Sequence, residues 1–317
     1  MGKKCIKKVI FFVLNSCLKT KYLNKINSEN YLTILNLHKV SNDENPFYPS
    51  LSPKLFDEFL KYVSKEFNII TFKEIERSKN RRKPNIILSF DDGYYDFLEY
   101  AMPILDKYKI CVNQNIIPNC VETGKPVWDT MLGDLLSQAP IELVNEINLP
   151  SFEMKLNKFN KGQYALALTR YLKQRSKNER EELWTEIDNI MHRLDIKFTR
   201  MLNKNELAQI AQVHEIGVHS YEHESMGLES QEYFEMDFLK CKDYFKNTLN
   251  FPMDIYAFPS GSYKDYQLDF LGQNGIKHIL LVDEKYSNYN TNRHFRFTYY
   301  ADSISEVKLR AVGFKIN

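Results

Sequence analysis

Apolar positions along the chain follow two periods that alternate. Short, nearly unbroken apolar runs occur at Tyr31–Leu37, Ile86–Phe90, Ile110–Ile116, His214–Val218, Asp254–Phe258 and Ile276–Val282, with a shorter one around Asn68–Ile70. Runs of this length that stop at turn residues predict strands buried on both faces, as in a parallel sheet covered by helices. Between them the spacing lengthens to three and four. Ser52-Pro53 supplies an N-cap and a first-turn proline, and Leu55, Phe56, Phe59, Leu60 and Val63 follow on one helical face. Phe234, Phe238, Cys241 and Phe245 mark a second helix, from Ser230 to about Asn247. Helices are also predicted from about Thr71, over Tyr94–Tyr108 with Pro103 kinking or shortening it, over Asp265–Gln273, and after a strand holding Arg293-His294-Phe295-Arg296-Phe297. Repeated strand-helix-strand steps predict a parallel α/β architecture, barrel-like or doubly wound.

The alternation breaks between about residues 124 and 211. There the strand signal disappears, and Leu183, Ile187, Ile190 and Leu194 form an apolar stripe in a charged surround after the cap Ser176. This predicts a helical insertion over or beside the sheet. The N-terminus also departs from the pattern: Lys3, Lys4, Lys7 and Lys8 precede Val9–Leu14, a run far shorter than the roughly 20 apolar residues of a bilayer span. Residues 1–29 read as a basic amphipathic segment suited to peripheral contact with a membrane surface, with an uncleaved or weak secretion signal as the alternative.

Composition changes this picture little. A chain of 317 residues, 43% hydrophobic, is long enough for one large α/β domain. Its 43 basic and 41 acidic residues are spread throughout and leave a net charge of +2, which argues against nucleic acid as a partner. The cysteines Cys5, Cys17, Cys111, Cys120 and Cys241 are odd in number and form no close pair, so a disulfide framework is not expected and a reducing, cytoplasmic setting is favoured over export.

Candidate chemistry lies at the predicted strand ends, where α/β barrels carry their working groups. Asp91 and Asp92 end the central run, and His38 ends the first. His219 and His223 follow the fourth long run; four residues apart on a helical turn, two imidazoles can reach one cation. One carboxylate and two imidazoles leave open positions on a divalent ion, the mark of a catalytic rather than a structural metal site. The turn Pro259-Ser260-Gly261 can aim a backbone N–H at a developing oxyanion, and Trp128 beside Asp129 can line a pocket or simply pack at a helix start.

In this order, Ser89-Phe90-Asp91-Asp92-Gly93, His219-Ser220-Tyr221-Glu222-His223 and Tyr256-Ala257-Phe258-Pro259-Ser260-Gly261 resemble the successive motifs of the polysaccharide deacetylases, the carbohydrate esterase superfamily with a NodB homology domain. The early Leu37-His38-Lys39-Val40 is similar to its glycan-assembly members. The resemblance implies a deformed (β/α) barrel over residues 30–317 with the helical insertion at about 124–211. It implies a hydrolase that removes N-acetyl groups from sugars of a surface polysaccharide, lipid-linked glycan or peptidoglycan precursor. Carried over position by position, it makes Asp91 the general base and Asp92, His219 and His223 the ligands of zinc, cobalt or another divalent ion. Phe258, Pro259, Ser260, His38, Trp128 and Arg296 are expected around substrate and oxyanion, and His294 is the expected proton donor. The third motif lacks the arginine that often orients the base, and Arg296 is expected to supply that charge from another strand. The family's late leucine-x-histidine motif is not evident either, and a chain lacking both that histidine and the arginine would be the alternative, a catalytically impaired glycan-binding or assembly protein on the same fold.

Overall fold

The protein was analysed as a computed structural model that describes residues 3–43, 47, 50–79 and 82–315. Among the described residues nine strands form one sheet: β1 Thr33–Leu37, β2 Asn68–Ile69, β3 Asn85–Phe90, β4 Asn113–Ile116, β5 Glu215–Val218, β6 Ile255–Ala257, β7 His278–Leu281, β8 Arg293–Phe295 and β9 Phe297–Thr298. Every strand pair is parallel, in the order β8-β7-β6-β5-β4-β3-β1-β9, with β2 added alongside β3. The run around Arg293–Phe297, predicted as a single strand, divides at Arg296. Its first half pairs with β7 and its second with β1, so this one segment closes the sheet into a nearly complete barrel. Closure leaves few free sheet edges and turns one face of each strand inward.

The helices are α1 Lys3–Ser28, α2 Pro53–Glu66, α3 Met102–Tyr108, α4 Pro118–Thr123, α5 Trp128–Gln138, α6 Ile141–Val144, α7 Lys161–Lys173, α8 Lys177–Met191, α9 Lys204–Ile210, α10 Gln231–Tyr244, α11 Asp265–Gln273 and α12 Ile304–Ala311. Outward strand residues such as Leu35, Leu88, Phe90, Val218, Tyr256 and Ile279 share one core with Phe56, Phe59, Leu60 and Val63 of α2 and Phe234, Phe238 and Cys241 of α10. The Ser52 hydroxyl caps α2 by accepting from the Leu55 N–H at 3.3 Å. Each large side chain buried this fully contributes roughly 1.5–3 kcal/mol. Inward residues Ile34, Ile87, Ile255, Ala257 and Leu280 fill the lower part of the barrel.

Two predicted helices are shorter than their patterns suggested. After Thr71 there are only two 3₁₀ turns, Phe72–Glu74 and Glu76–Ser78, whose leading N–H groups at Phe72 and Lys73 donate to the buried Glu215 carboxylate at 2.8 and 2.9 Å. Between Tyr94 and Tyr108 a wide turn over Phe97–Ala101 precedes α3, which starts just before Pro103, where a missing N–H is tolerated. The insertion is helical and has a core of its own, with Leu132, Leu135, Leu168, Leu172, Ile187 and Ile190 buried together. Cys17, Cys111, Cys120 and Cys241 are free thiols. No helix among the described residues is long and apolar enough to cross a membrane.

Candidate active site

Because all strands run parallel, their C-terminal ends meet at one rim. A cavity of about 380 Å³ opens there, lined among others by His38, Asp91, Asp92, His219, His223, Phe258 and Ser260. A larger cavity, about 920 Å³, opens among the N-terminal ends of β5, β6 and β7, but its buried Glu215 is already occupied by the two N–H groups described above. The chemistry therefore belongs to the smaller one.

The base of that cavity is a buried polar layer inside the barrel. Arg296, fully buried at the joint of β8 and β9, donates to both oxygens of Asp91 at 2.9 Å each, and also to Asn36 Oδ1 at 3.2 Å and Ser89 Oγ at 3.1 Å. Asn115 Nδ2 donates to Asp91 Oδ1 at 2.7 Å. Gly217 makes room for this arrangement: a Cβ there would stand 2.1 Å from Asn115 Oδ1. Burial alone would raise the Asp91 pKa, but the Arg296 guanidinium and nearby His219 outweigh it and hold the carboxyl well below its usual range. Asp91 is thus ionised and fixed by a forked pair.

Asp92 takes the opposite direction. Burial, with Asp91 and Asp129 close by, raises its pKa to about 6, against the favourable field of His219. Asp92 Oδ1 lies 3.6 Å from His219 Nε2 and 3.5 Å from His223 Nε2, and one donor atom from each of the three residues fits within 4.8 Å of the others. His219 Nδ1 sits 2.9 Å from the Ala257 carbonyl; donation there leaves the Nε2 lone pair facing the triad, the tautomer a metal ligand needs. His223 is buried, and burial is the main cause that pushes its pKa well down. Two buried imidazoles and a carboxylate whose charge burial disfavours make a donor set that fits a divalent cation.

The histidine pair meets for a reason other than the predicted helical turn. The segment after β5 is an irregular loop in which Ser220 (φ 57°) and His223 (φ 64°) are left-handed, the Ser220 hydroxyl accepts from the His223 N–H at 2.7 Å, and Asp237 of α10 accepts from the Tyr221 N–H at 3.0 Å. Asp92 (φ 77°) and Ser260 (φ 58°) are left-handed as well. Such backbone costs about 1–3 kcal/mol per residue and persists where surrounding contacts impose it.

Several expected residues hold different positions. His294 is fully buried one layer below, its ring nitrogens 3.1 Å from His278 Nδ1 and 3.1 Å from Ser287 Oγ, and burial together with His278 lowers its pKa to about 3. It is fully buried and does not line the cavity, so its expected role as proton donor is corrected. Arg296 is buried beneath Asp91 rather than placed against substrate. Trp128 packs edge-to-face on Trp184 and under the Arg180 guanidinium, and it is the neighbouring Asp129 that reaches the cavity. Pro259 is buried in its turn, whereas Phe258 and Ser260 on either side line the cavity. His38 does line it, with a pKa lowered mainly by burial.

The insertion also contributes. Lys173, at the end of α7, reaches the cavity wall 3.9 Å from Asp129, and Arg180 of α8 makes a buried pair with Glu224 at 2.6 Å, just beyond His223. Neither was identified from the sequence, and neither were Asn36, Ser89 and Asn115. For the last three a signal existed: polar residues at inward, period-two positions of strands that are otherwise apolar or buried.

Residues 170–279 match the family model for polysaccharide deacetylases, a segment that contains His219, His223 and the Phe258–Gly261 turn. That segment is 110 of the chain's 317 residues, and over it the chain is similar to that family. Asp91 and Asp92 lie upstream of it, on the same barrel. The fold of this chain is similar to that of Streptococcus pyogenes deacetylase PplD in complex with acetate, at 18% identity and a TM-score of 0.59 over 89% of this chain and 98% of the other. It is also similar to IcaB from Ammonifex degensii (14%, 0.56, over 89% and 97%) and to a de-N-acetylase from Aggregatibacter actinomycetemcomitans (14%, 0.54, over 84% and 94%). A comparison with curated protein sequences gave no match.

Proposed function

We propose that this protein is a deacetylase that removes acetyl groups from N-acetylated sugars of a glycan and depends on a divalent ion, zinc or one of similar size and charge, held by Asp92, His219 and His223. The observation that carries this reading is the juxtaposition of an ionised, doubly anchored Asp91 with that triad, since His219 Nε2 lies 3.7 Å from Asp91 Oδ2. When bound, the ion would polarise the amide carbonyl and favour hydroxide over water at the site. Asp91 takes the proton as a water oxygen adds to the acetyl carbon. The Phe258–Gly261 turn meets the negative charge that develops on the carbonyl oxygen. Breaking the C–N bond then needs a proton on the departing nitrogen, and His38 is the histidine on the cavity wall besides the two ligands. Acetate and a free amino sugar result.

The competing reading, an impaired glycan-binding protein, drew on a missing arginine and a missing late histidine. Against the first, Arg296 pairs with Asp91; against the second, His38 stands on the cavity wall. The test is acetate release from N-acetylglucosamine oligomers, before and after chelation, with zinc or cobalt added back. Release should vanish with chelator and return with metal, and Asp91→Asn should abolish release while metal content stays unchanged. A purified protein without stoichiometric metal, or release indifferent to chelator, would reject the proposed metal chemistry.

A further inference from the structure

The long N-terminal helix α1 is docked on the body by one face only. Phe11 and Ile26 are buried, Phe11 and Tyr22 meet Phe314 edge-to-face at 6.3 and 5.7 Å, and Lys7 Nζ pairs with Asp302 at 2.9 Å and Glu306 at 3.1 Å. At 100° per residue Val9 and Val13 fall opposite Phe11. They are 50% and 56% exposed, and beside them Ile10 and Phe12 are 44% and 66% exposed. The outward face of this helix is therefore an apolar strip, on a segment whose other residues include Lys3, Lys4, Lys8, Lys19 and Lys21. Among the described residues none covers the strip, whereas the same helix is pinned to the body by its opposite side.

We propose that α1 lies on an anionic phospholipid bilayer by the Val9, Ile10, Phe12 and Val13 face, and that it holds the mouth of the active-site cavity at the headgroup layer. The chemistry of the strip selects this occupant. Apolar side chains flanked by lysines suit the boundary between acyl chains and headgroups, where long cationic side chains extend to the phosphates. A second protein copy would have to bury those lysines against one another. The orientation follows from Lys7. Its ammonium lies 6.0 Å from the Tyr300 ring, Tyr300 donates its hydroxyl hydrogen to Asp302, and Tyr300 lines the same cavity as Asp91 and His219. The exposed turn of α1 and the cavity mouth thus lie at the same end of the barrel. On the reading proposed above, the substrate class this orientation favours is an acetylated sugar attached to a membrane lipid.

The full chain should co-sediment with vesicles of phosphatidylcholine and phosphatidylglycerol and much less with phosphatidylcholine alone, with binding weakened by salt. The double variant Phe12→Glu, Val13→Glu should lose about tenfold or more of this binding, with its thermal unfolding unchanged because both side chains are exposed. Acetate release from a soluble oligosaccharide should be equal in both proteins. Absence of vesicle binding, binding unaffected by the double variant, or a dimer in analytical ultracentrifugation that the variant dissociates would each overturn the proposal. The deacetylase reading fails separately, through loss of acetate release from the soluble substrate while vesicle binding is intact.

Discussion

Arg296 is the residue whose loss should be most telling. Removing one member of a buried pair costs about 3–5 kcal/mol, because the remaining charge is stranded. Arg296→Met should therefore lower the urea midpoint strongly, and activity should fall by about a hundredfold or more as Asp91 loses its fixed orientation and its ionised form. The pH dependence has a definite sign. In the fold Asp91 is held below its ordinary value of 3.8, so its contribution to stability is complete above that value and drains away as pH falls further. Unfolding measured between pH 2 and 5 should show this acid loss in the wild type and a flattened one in Arg296→Met. At the same scale, His38→Ala should reduce kcat by about two orders of magnitude while His294→Ala leaves it nearly unchanged. Equal losses in steady-state assays would contradict the assignment of the proton donor to the cavity wall. Asp91, Asp92, His38, His219 and His223 were all legible in the sequence because short polar motifs stood at the ends of apolar runs. His294 was misread because sequence proximity to Arg296 does not reveal that a two-residue step along a barrel strand moves a side chain down one layer.

At the scale of elements, the loop from His219 to His223 is organised by its neighbours. Asp237 of α10 is 3% exposed and receives the Tyr221 N–H. Burial raises its pKa to about 7, so its contribution to stability is full below 3.8 and is lost as pH rises through about 7. An amide has no such titration and still offers a carbonyl oxygen to Tyr221. The stability of Asp237→Asn relative to wild type should therefore increase steadily from pH 5 to pH 8, as urea unfolding at several pH values would register, with metal binding retained. α10 itself was readable from its Phe234, Phe238, Cys241 and Phe245 spacing. Its use of a carboxylate to fix a loop was not, because an aspartate on a helix is ordinarily a solvated one. The insertion was likewise legible as helical, yet nothing in its periodicity tells that Lys173 reaches the cavity or that Arg180 meets Glu224. Those contacts depend on how two separate cores are placed against each other, which local pattern does not encode.

For the whole molecule, the alternation of runs and helices led to the barrel, and the physical reason is that buried parallel strands advertise themselves by unbroken apolar stretches. What stayed hidden was the seam. The ring is sealed by a segment that changes partner at Arg296, and only the three-dimensional register shows it. Asp91 and its anchoring guanidinium are 205 residues apart in the chain. A ribosome delivers the carboxylate 205 residues before its partner, so the ion pair that fixes Asp91 waits on the strands around Arg296. Until they arrive, the emerging polypeptide carries a carboxylate without the guanidinium that anchors it, in a barrel whose seam is open. The pair is thereby a mark of closure, formed only when the first strands and the last ones meet.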